Sequence, residues 1–427
     1  MSNKTKTYKN SVPKIYLMTF GCQMNERDSE LVLGQFLSRG YQITKNFQDA
    51  NVILFNTCSV RQHAEDKVWS ELGRLKKLFF QSIKFKNRQR PIIGVIGCMA
   101  KNIGAEIIKR NPWVDLVCSP NDLADLYNHI DQIQKTRNPI VAISSQTRKR
   151  QFYKYLFHQD KSHCYVNISE GCSNFCSYCI VPYVRGYHRS RPLYDILEEI
   201  RGLVNNGINS ITLLGQNVND YSYSIGDLKM IKKINFVSPK FLAKNSINFV
   251  DLLSIVSQIE AIVELSFVTS HPKDIDLRLF DLMAEKSNIK KFLHLPVQSG
   301  SNKILRAMNR KYTREKYLRI VEMYRKRVPK GVLATDIIVG FPGETDKDFR
   351  DTLDLIKSVR FNFAYIFKYS PRPHTAAEKL PDDVPFEEKK RRHRILLETQ
   401  KEISRQLAGQ NNKKESGLNF IPILNSD

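Results

Sequence analysis

The chain has 427 residues and carries 67 Lys and Arg residues against 43 Asp and Glu residues, a formal net charge of +24 at pH 7. Its polar, basic start, MSNKTKTYKNSVPK, lacks the apolar segment of a secretory signal, and no apolar run approaches the ~18–20 residues of a membrane-spanning helix. These features argue against a secreted or membrane-embedded protein and predict a cytoplasmic one, in which the eight cysteines stay reduced.

The first part of the chain predicts a small doubly wound α/β domain at residues 13–135. Apolar strands KIYLMTF, NVILFN and PIIGVIG alternate with helical segments DSELVLGQFLSRG, AEDKVWSELGRL and IGAEIIKR. Cys22, Cys58 and Cys98 each lie just past the end of one of these strands. Each alone is typical of a small buried core residue. Because the carboxyl ends of parallel strands meet at one sheet edge, the three together favour a three-thiolate cluster site.

A basic linker at residues 136–157 leads into a second predicted domain at residues 158–395. Here six strands alternate with helical segments: CYVNIS, SITLLGQ, VELSFVTS, FLHLPVQ, LATDIIVG and FAYIFKYS. This order predicts a parallel sheet with helices outside, an open partial (βα)6 barrel. A lysine-rich insertion near residues 221–247 interrupts the pattern, and residues 396–427 are expected to form a helix end and a tail.

Three of the remaining cysteines, Cys172, Cys176 and Cys179, lie in the loop GCSNFCSYCIVPY after the first barrel strand. A structural zinc site normally uses four ligands in two pairs, whereas this loop offers three at the spacing CxxxCxxC. In a [4Fe–4S] cluster three cysteines leave one iron open to an exogenous ligand. The spacing therefore favours an iron–sulfur cluster that holds a reactant. Cys118 and Cys164 have no such pattern and are predicted core residues.

The CxxxCxxC loop, with Tyr178 inside it, resembles that of radical S-adenosylmethionine enzymes. With the second cysteine triplet, the chain to about residue 395 resembles the methylthiotransferase family. Motifs including TFGCQMNERDSE, FNTCSVRQHAEDK, TLLGQNVN, HLPVQSGS and DIIVGFPGE are similar to its tRNA branch, the MiaB-type enzymes. The resemblance implies two [4Fe–4S] clusters, two uses of S-adenosylmethionine, a 5′-deoxyadenosyl radical and a reductase or flavodoxin-type electron donor. The implied substrate is tRNA, methylthiolated at C2 of an isopentenylated adenosine beside the anticodon.

The same resemblance assigns roles to individual residues. Cys172, Cys176 and Cys179 would hold the catalytic radical cluster, and Cys22, Cys58 and Cys98 the auxiliary, sulfur-delivering cluster. The residues expected to contact S-adenosylmethionine are Gly215, Gln216 and Asn217 at its amino acid part, and Gly340 and Glu344 near its adenine. For these five, a tight turn after a strand is the alternative interpretation.

Two histidines and two arginines have open alternatives. His271 and His294 lie at strand ends, where they either contact the substrate or form hydrogen-bonded walls of the barrel. Arg185 and Arg191, in VRGYHRSRP, either bind an anion through their guanidinium groups or lie on the solvated surface.

Clusters of cations with interleaved aromatic residues predict a nucleic-acid partner. They occur at residues 74–90, at 147–154 (TRKRQFYK) and at 389–394 (KKRRHR). Such segments neutralise phosphates, and their aromatic rings stack on unpaired bases. A generally lysine-rich surface is the alternative explanation.

The sequence also departs from the family pattern. The small β-barrel RNA-binding module called TRAM, of about 60 residues, is expected to be missing, because the final 30 or so residues are too few for a barrel. His188 stands where the tRNA branch usually has Glu, and His374 replaces a Gly. Open alternatives are a methylthiotransferase acting on threonylcarbamoyl-adenosine tRNA or a ribosomal protein, and a noncatalytic, RNA-binding relic that holds clusters or zinc.

Overall fold

A computed structural model describes residues 12–60, 62–80, 90–144, 148–155, 157–158, 160, 162–224, 241 and 245–411. Most of the predicted insertion, the end of the first basic cluster and the predicted tail beyond residue 411 lie outside these ranges. The chain divides between residues 159 and 160 into two compact units. Among the described residues, no helix combines the length and the apolar character needed to cross a membrane.

The N-terminal unit is built on one parallel sheet of six strands in the order β2-β1-β3-β4-β5-β6. Its strands are β1 Lys14–Phe20, β2 Gln42–Ile43, β3 Val52–Thr57, β4 Ile92–Gly97, β5 Leu116–Cys118 and β6 Ile140–Ala142. Its helices are α1 Gln23–Leu37, α2 Gln62–Phe80, α3 Cys98–Ile103, α4 Glu106–Arg110 and α5 Leu126–Thr136. The predicted doubly wound domain is confirmed. The short edge strands β2 and β6 were not predicted, because two or three residues carry no periodic pattern.

The strands in the middle of this sheet are covered on both faces. Every residue of β3 and β4 is buried. Val52 and Leu54 belong to the core on one face, and Ile53 and Phe55 to the core on the other. Such near-continuous apolar strands are typical of parallel sheets packed between two helix layers. Cys118 is fully buried in one of these cores, as predicted.

The second unit contains the predicted series of barrel strands: β7 His163–Asn167, β10 Ser210–Leu214, β13 Glu264–Phe267, β14 Phe292–His294, β15 Val332–Val339 and β16 Phe363–Lys368. They pair in parallel as β13-β10-β7 and as β14-β15-β16. A bridge between Leu265 and Ile289, and a bond of 3.2 Å from Ser270 N to His294 O, join the two sets. The strands thus follow one another in chain order, which confirms the partial (βα)6 barrel. Cys164 lies in its apolar core, as predicted.

Short antiparallel pairs lie beside two loops of the barrel. β8 Ser169–Glu170 pairs with β9 Arg189–Ser190 across the cysteine loop. β11 Ser222–Ser224 pairs with β12 Ser246–Asn248 at the base of the predicted insertion. Each pair brings together the two ends of its loop.

The helices of this unit are α6 Val181–Arg185, α7 Leu193–Asn205, α8 Phe249–Val256, α9 Arg278–Glu285, α10 Asn302–Ala307, α11 Arg314–Arg327, α12 Asp346–Val359 and α13 Phe386–Asn411. Capping boxes begin α8, at Asn248, and α12, at Thr345. Helix α13 continues past residue 395, where the sequence placed the end of the barrel. It continues because Leu396 and Ile403 are buried in the barrel core.

Asp348 stabilises the start of α12, since its carboxylate accepts bonds from Ser301 Oγ (2.6 Å) and Thr345 Oγ1 (2.6 Å). Burial raises its pKa, but these bonds outweigh burial and lower it from 3.8 to about 2. A depressed carboxyl pKa stabilises the fold above pH ~4, and this contribution is lost as pH falls through about 2. We expect Asp348→Asn to lower the free energy of unfolding by about 1–2 kcal/mol at pH 7.

Urea denaturation of both proteins from pH 7 to pH 2 measures this difference, which should shrink as the solution becomes acidic. Glu322→Gln, an exposed position on α11, serves as the control and should leave the unfolding midpoint unchanged. A difference that stays constant down to pH 2 would contradict the expected role of the charge.

Candidate metal centres

The first cysteine triplet lies at the carboxyl edge of the N-terminal sheet. Phe20 pairs with Thr57, and Thr57 pairs with Gly97, so β1, β3 and β4 end at the same level. Cys58, the cysteine after β3, forms a side-chain hydrogen bond with Cys22. This hydrogen bond raises the pKa of Cys58, and burial and the charges of Cys22 and Cys98 raise it further. The structure therefore brings the three thiols together, as the sequence predicted.

A network of buried hydrogen bonds begins at Cys22 of this triplet. Cys22 Sγ donates to Asn25 Oδ1 (3.3 Å), and Asn25 Nδ2 donates to Asn56 Oδ1 (3.1 Å). Asn56 Nδ2 donates in turn to Ser29 Oγ (2.9 Å). Sequence reasoning did not select these residues. The available signal was the polar asparagine inside the apolar strand NVILFNT, which is unusual for a buried strand.

The glycines at positions 21 and 97 are required by close packing at this edge. A Cβ at Gly21 would lie 2.6 Å from the Cβ of Cys58, and one at Gly97 would lie 2.4 Å from Asn56 Oδ1. Both have positive φ, 149° and 91°, which favours glycine. The Gly-Cys pairs in TFGC and IGC thus allow the cysteine-bearing strand ends to approach.

The second triplet lies in the loop between β8 and α6. Burial raises the pKa of Cys179 to about 12, and the charges of Cys176 and Cys172 add to this effect. Burial also raises the pKa of Cys172, again with a contribution from Cys176. The three thiols are therefore close enough to interact. Mutual repulsion of thiolates disfavours their charged forms, so a bound cation is the natural partner for both triplets.

The loop is held in place by the end of α10. Ser177 N donates to Met308 O (3.0 Å), and Ser177 Oγ donates to Ala307 O (2.8 Å). Asn309 Nδ2 donates to Phe175 O (2.8 Å). These bonds fix a loop in which Phe175 has the rare positive φ of 47°. The motif SNKILRAMNR had not been assigned this role.

Some side-chain polar atoms at the carboxyl ends of the barrel strands are buried without a hydrogen-bond partner. Within the described residues, side-chain atoms of Asn167, Ser169, Gln216, Asn217, His271 and Gln298 are buried and lack a hydrogen-bond partner. Buried polar groups are nearly always bonded, so these atoms fit a polar ligand such as the amino acid part of S-adenosylmethionine. Gln216 and Asn217 were predicted from sequence, whereas Asn167, Ser169 and Gln298 were not.

The three other residues predicted to contact the cofactor differ in their surroundings. Gly215 lies where a Cβ would come within 2.5 Å of Ser169 Oγ, beside the unpaired polar atoms. Glu344 accepts from Gly340 N (2.6 Å) and from Arg392 Nη1 (2.8 Å). These two residues thus form the tight turn that was the alternative interpretation, and their role toward the cofactor stays a prediction.

For Arg191 the solvated surface role was wrong, whereas its guanidinium does bind an anion, the carboxylate of a neighbouring helix. It is buried and forms an ion pair of 2.7 Å with Glu199 on α7. Arg185 is buried too, so the solvated surface role is wrong for it. An arginine in a basic, polar motif cannot be recognised as buried without knowing which helix packs on it.

The histidines behave as walls of the barrel. His294 Nε2 lies 2.9 Å from Asp336 Oδ1 on the neighbouring strand. Burial, with the charge of Arg310, lowers the pKa of His271 to about 2, so its ring is neutral at physiological pH. Its Nδ1 accepts from Lys273 N (3.1 Å). A neutral, backbone-bonded imidazole favours the wall interpretation over proton transfer.

Two of the predicted RNA-binding segments contain buried cations as well as exposed ones. In the segment at 147–154, Arg148 forms a buried ion pair with Asp28 (2.6 Å), and Phe152 is a core residue. In KKRRHR, Lys389 is buried against Asp382 and Arg392 against Glu344. The prediction of open basic surfaces holds only in part, because these three cations form ion pairs with carboxylates, whereas the other six cations of the two segments are exposed.

Exposed aromatic rings instead gather around the cysteine loop. Phe175 lies 6.2 Å from Tyr183 and 5.5 Å from Tyr187, and Tyr183 lies 6.5 Å from His374, all between ring centroids. Tyr187 is 70% exposed and Tyr183 is 41% exposed. His374 has a φ of 69°, the left-handed conformation that suits the glycine usual there. We call these four residues the aromatic surface.

Comparison with known proteins adds to this geometry. Residues 166–356 match the radical SAM superfamily, and residues 14–119 match the uncharacterized protein family UPF0004. The tRNA-2-methylthio-N(6)-dimethylallyladenosine synthase of Bacillus subtilis is 40% identical over 393 residues, covering 92% of this chain and 72% of the relative. The synthase of that name from Azobacteroides pseudotrichonymphae is 43% identical over 397 residues, covering 92% and 83%.

Among solved structures, the radical S-adenosylmethionine methyltransferase TsrM from Kitasatospora setae aligns with a TM-score of 0.55. The match covers 83% of this chain and 72% of that chain at 12% identity. At this identity the likeness shows the fold alone.

The barrel with its CxxxCxxC loop, preceded by a domain with a second triplet, defines a radical S-adenosylmethionine enzyme of the methylthiotransferase class. S-Adenosylmethionine and [4Fe–4S] clusters are the cofactors of such enzymes. The chain belongs to the family of the tRNA-2-methylthio-N(6)-dimethylallyladenosine synthases. The family predicted from the sequence motifs is thereby confirmed.

The assignment of six cysteines as ligands predicts the iron content of the protein. We expect about eight iron atoms per chain after anaerobic reconstitution, four in each cluster. Cys58→Ala and Cys176→Ala should each retain about four, because each removes a ligand from a different triplet. Iron and labile sulfide assays measure this content.

Cys118→Ala and Cys164→Ala provide the matched controls, since both residues belong to the buried cores and neither is assigned as a cluster ligand. Both controls should keep about eight iron atoms. Zinc in place of iron, or an unchanged iron content in Cys58→Ala, would contradict the assignment.

Proposed function

We propose that this enzyme introduces a methylthio group at C2 of N6-isopentenyladenosine next to the anticodon of tRNA. The observation that carries the proposal is the convergence of two cysteine triplets, each at the carboxyl edge of its own parallel sheet. One cluster alone would suffice for radical formation, whereas a second three-thiolate site adds a place for sulfur. The synthases of this name share both domains with the chain.

The side chains divide the work between the two sites. Cys172, Cys176 and Cys179 would hold the cluster with an open iron, and the unpaired polar atoms at the strand ends would orient S-adenosylmethionine beside it. Cys22, Cys58 and Cys98 would hold the sulfur-delivering cluster. When bound, the clusters and S-adenosylmethionine supply the electron, the 5′-deoxyadenosyl radical, the sulfur and the methyl group.

The aromatic surface is the proposed contact for the tRNA near the reactive base. Its rings flank the loop that would hold the radical cluster, and Tyr183 and Tyr187 are exposed. Aromatic rings stack on unpaired bases regardless of sequence, and an adenosine in the anticodon loop is already single-stranded. The net charge of +24 favours association with tRNA phosphates over longer distances.

A flavodoxin-type protein or reductase is the proposed electron donor, since the open cluster must receive one electron from outside. A cytoplasmic location is part of the same proposal, because the six thiolates need a reducing compartment.

Nucleoside mass spectrometry tests the proposal. We expect 2-methylthio-N6-isopentenyladenosine after anaerobic incubation of the reconstituted protein with reductant, S-adenosylmethionine, sulfide and tRNA carrying N6-isopentenyladenosine. Cys176→Ala should form neither 5′-deoxyadenosine nor product. Cys58→Ala should still form 5′-deoxyadenosine but no methylthio product, because only the sulfur site is damaged.

The outcomes separate the alternatives. Product only with tRNA carrying threonylcarbamoyl-adenosine, or only with ribosomal protein, would overturn the substrate and keep the class. Iron without 5′-deoxyadenosine or product would indicate a noncatalytic cluster protein.

A second experiment tests the aromatic surface. We expect Tyr187→Ala to weaken binding of an isopentenylated anticodon stem-loop by about tenfold, within the ~1–3 kcal/mol that one stacked base contributes. Fluorescence anisotropy at fixed salt measures this change. Phe386→Ala removes a ring that is 59% exposed at the start of α13 and should leave binding unchanged. Equal weakening in both variants would argue against a specific surface.

A further inference from the structure

Arg310 is a buried cation beside the cysteine loop. Only 7% of the residue is exposed. Its Nε donates to Tyr312 Oη (2.8 Å), one terminal nitrogen donates to Pro296 O (2.8 Å), and the other donates to Cys176 Sγ (3.4 Å). The hydroxyl of Tyr312 is itself fixed, because it donates to Val297 O (2.8 Å). The guanidinium is thus held in a single orientation, with one N–H group aimed at a candidate ligand sulfur.

The contacts of this guanidinium contain no carboxylate among the described residues. Its hydrogen-bond acceptors are a tyrosine hydroxyl, a backbone carbonyl and the sulfur of Cys176. Buried charges are normally paired, because removal of an ion from water is costly. Two other buried arginines of this unit follow this rule: Arg191 forms an ion pair with Glu199, and Arg392 forms one with Glu344. The anion that would offset Arg310 is therefore a thiolate of the cluster loop.

We infer that Arg310 is a positioning residue that raises the reduction potential of the cluster held by Cys172, Cys176 and Cys179. This inference rests on the proposed radical cluster. A [4Fe–4S] core with three thiolates becomes more negative on reduction, and a nearby cation stabilises the added electron. Hydrogen bonds to the ligand sulfur act in the same direction, and both are recognised determinants of cluster potential.

The opposing charge nearby is Asp220. Burial raises the pKa of the Cys172 thiol, and the charges of Asp220 and Arg310 act on it with opposite signs. His188 Nδ1 lies 3.7 Å from the Asp220 carboxylate, but burial lowers the pKa of this ring and favours its neutral form. Removing the arginine would thus remove the positive charge that opposes Asp220 at the loop.

The test is a redox titration of the holoenzyme, followed by the electron paramagnetic resonance signal of the reduced cluster. Arg310→Gln keeps hydrogen-bonding capacity and removes the charge. We expect its reduced-to-oxidised ratio at a fixed potential to fall at least tenfold, which is about 59 mV for a one-electron couple. Arg310→Lys keeps the charge without the planar fork and should give a smaller shift of the same sign.

Two controls show whether a change in reduction potential is specific to the cluster beside Arg310. The cluster at Cys22, Cys58 and Cys98 belongs to the other unit, and its potential should not move. Arg306→Gln removes an exposed charge from α10, one turn before Arg310, and should leave both potentials unchanged. To assign the signals, the titration is repeated with the other triplet replaced by alanine.

If Arg310→Gln fails to retain iron, Tyr312→Phe replaces it in the titration, because that change removes the hydroxyl bond from Nε and preserves the charge. The expected result is then a smaller negative shift. A wild-type protein without a cluster at Cys172, Cys176 and Cys179 would contradict the proposed function itself. A cluster with the same potential in wild type and in the Arg310 variants or Tyr312→Phe would overturn the inference alone.

Discussion

The convergence of three thiols at one sheet edge is the constraint on which both units depend. Thiolates repel one another, so no triplet forms unless the backbone imposes the distances. In the N-terminal unit the parallel register of β1, β3 and β4 does this, since each strand stops at the same level. Gly21 and Gly97 then remove the Cβ atoms that would separate the strand ends. In the barrel, one short loop carries the whole triplet, and bonds from α10 hold it.

The two ways in which the backbone brings three thiols together explain how much of the molecule could be predicted from its sequence. Strands in the middle of a parallel sheet are buried on both faces, so NVILFN and PIIGVIG contain continuous apolar runs, and the cysteines after them are visible at equivalent positions. Regular alternation of strands and helices likewise revealed the barrel. The edge strands β2 and β6 left no pattern. The contact of Arg310 with Cys176 joins residues 134 positions apart, which no local spacing records.

Charge was a partly misleading signal, for a physical reason. Basic residues were expected to face phosphate, but Arg148, Lys389 and Arg392 are buried and neutralise carboxylates. Sequence composition counts a cation in the same way whether it faces solvent or a buried acid. His188 shows the effect of burial on a basic side chain, since burial lowers its pKa and favours the neutral ring. Exposed aromatic rings around the cysteine loop are the more specific sign of a nucleic-acid surface.

The contacts that Asn25 and Val60 make with the first triplet differ from the contact that Arg310 makes with the second, and this difference follows the proposed roles of the triplets. Asn25 and the Val60 amide, both uncharged, contact Cys22 and Cys58. The barrel triplet instead receives a buried guanidinium at Cys176. A site that must accept an electron gains from a cation, because the cation stabilises the reduced state more than the oxidised one. A site that delivers sulfur needs no such bias, and a neutral network is enough to position its ligands.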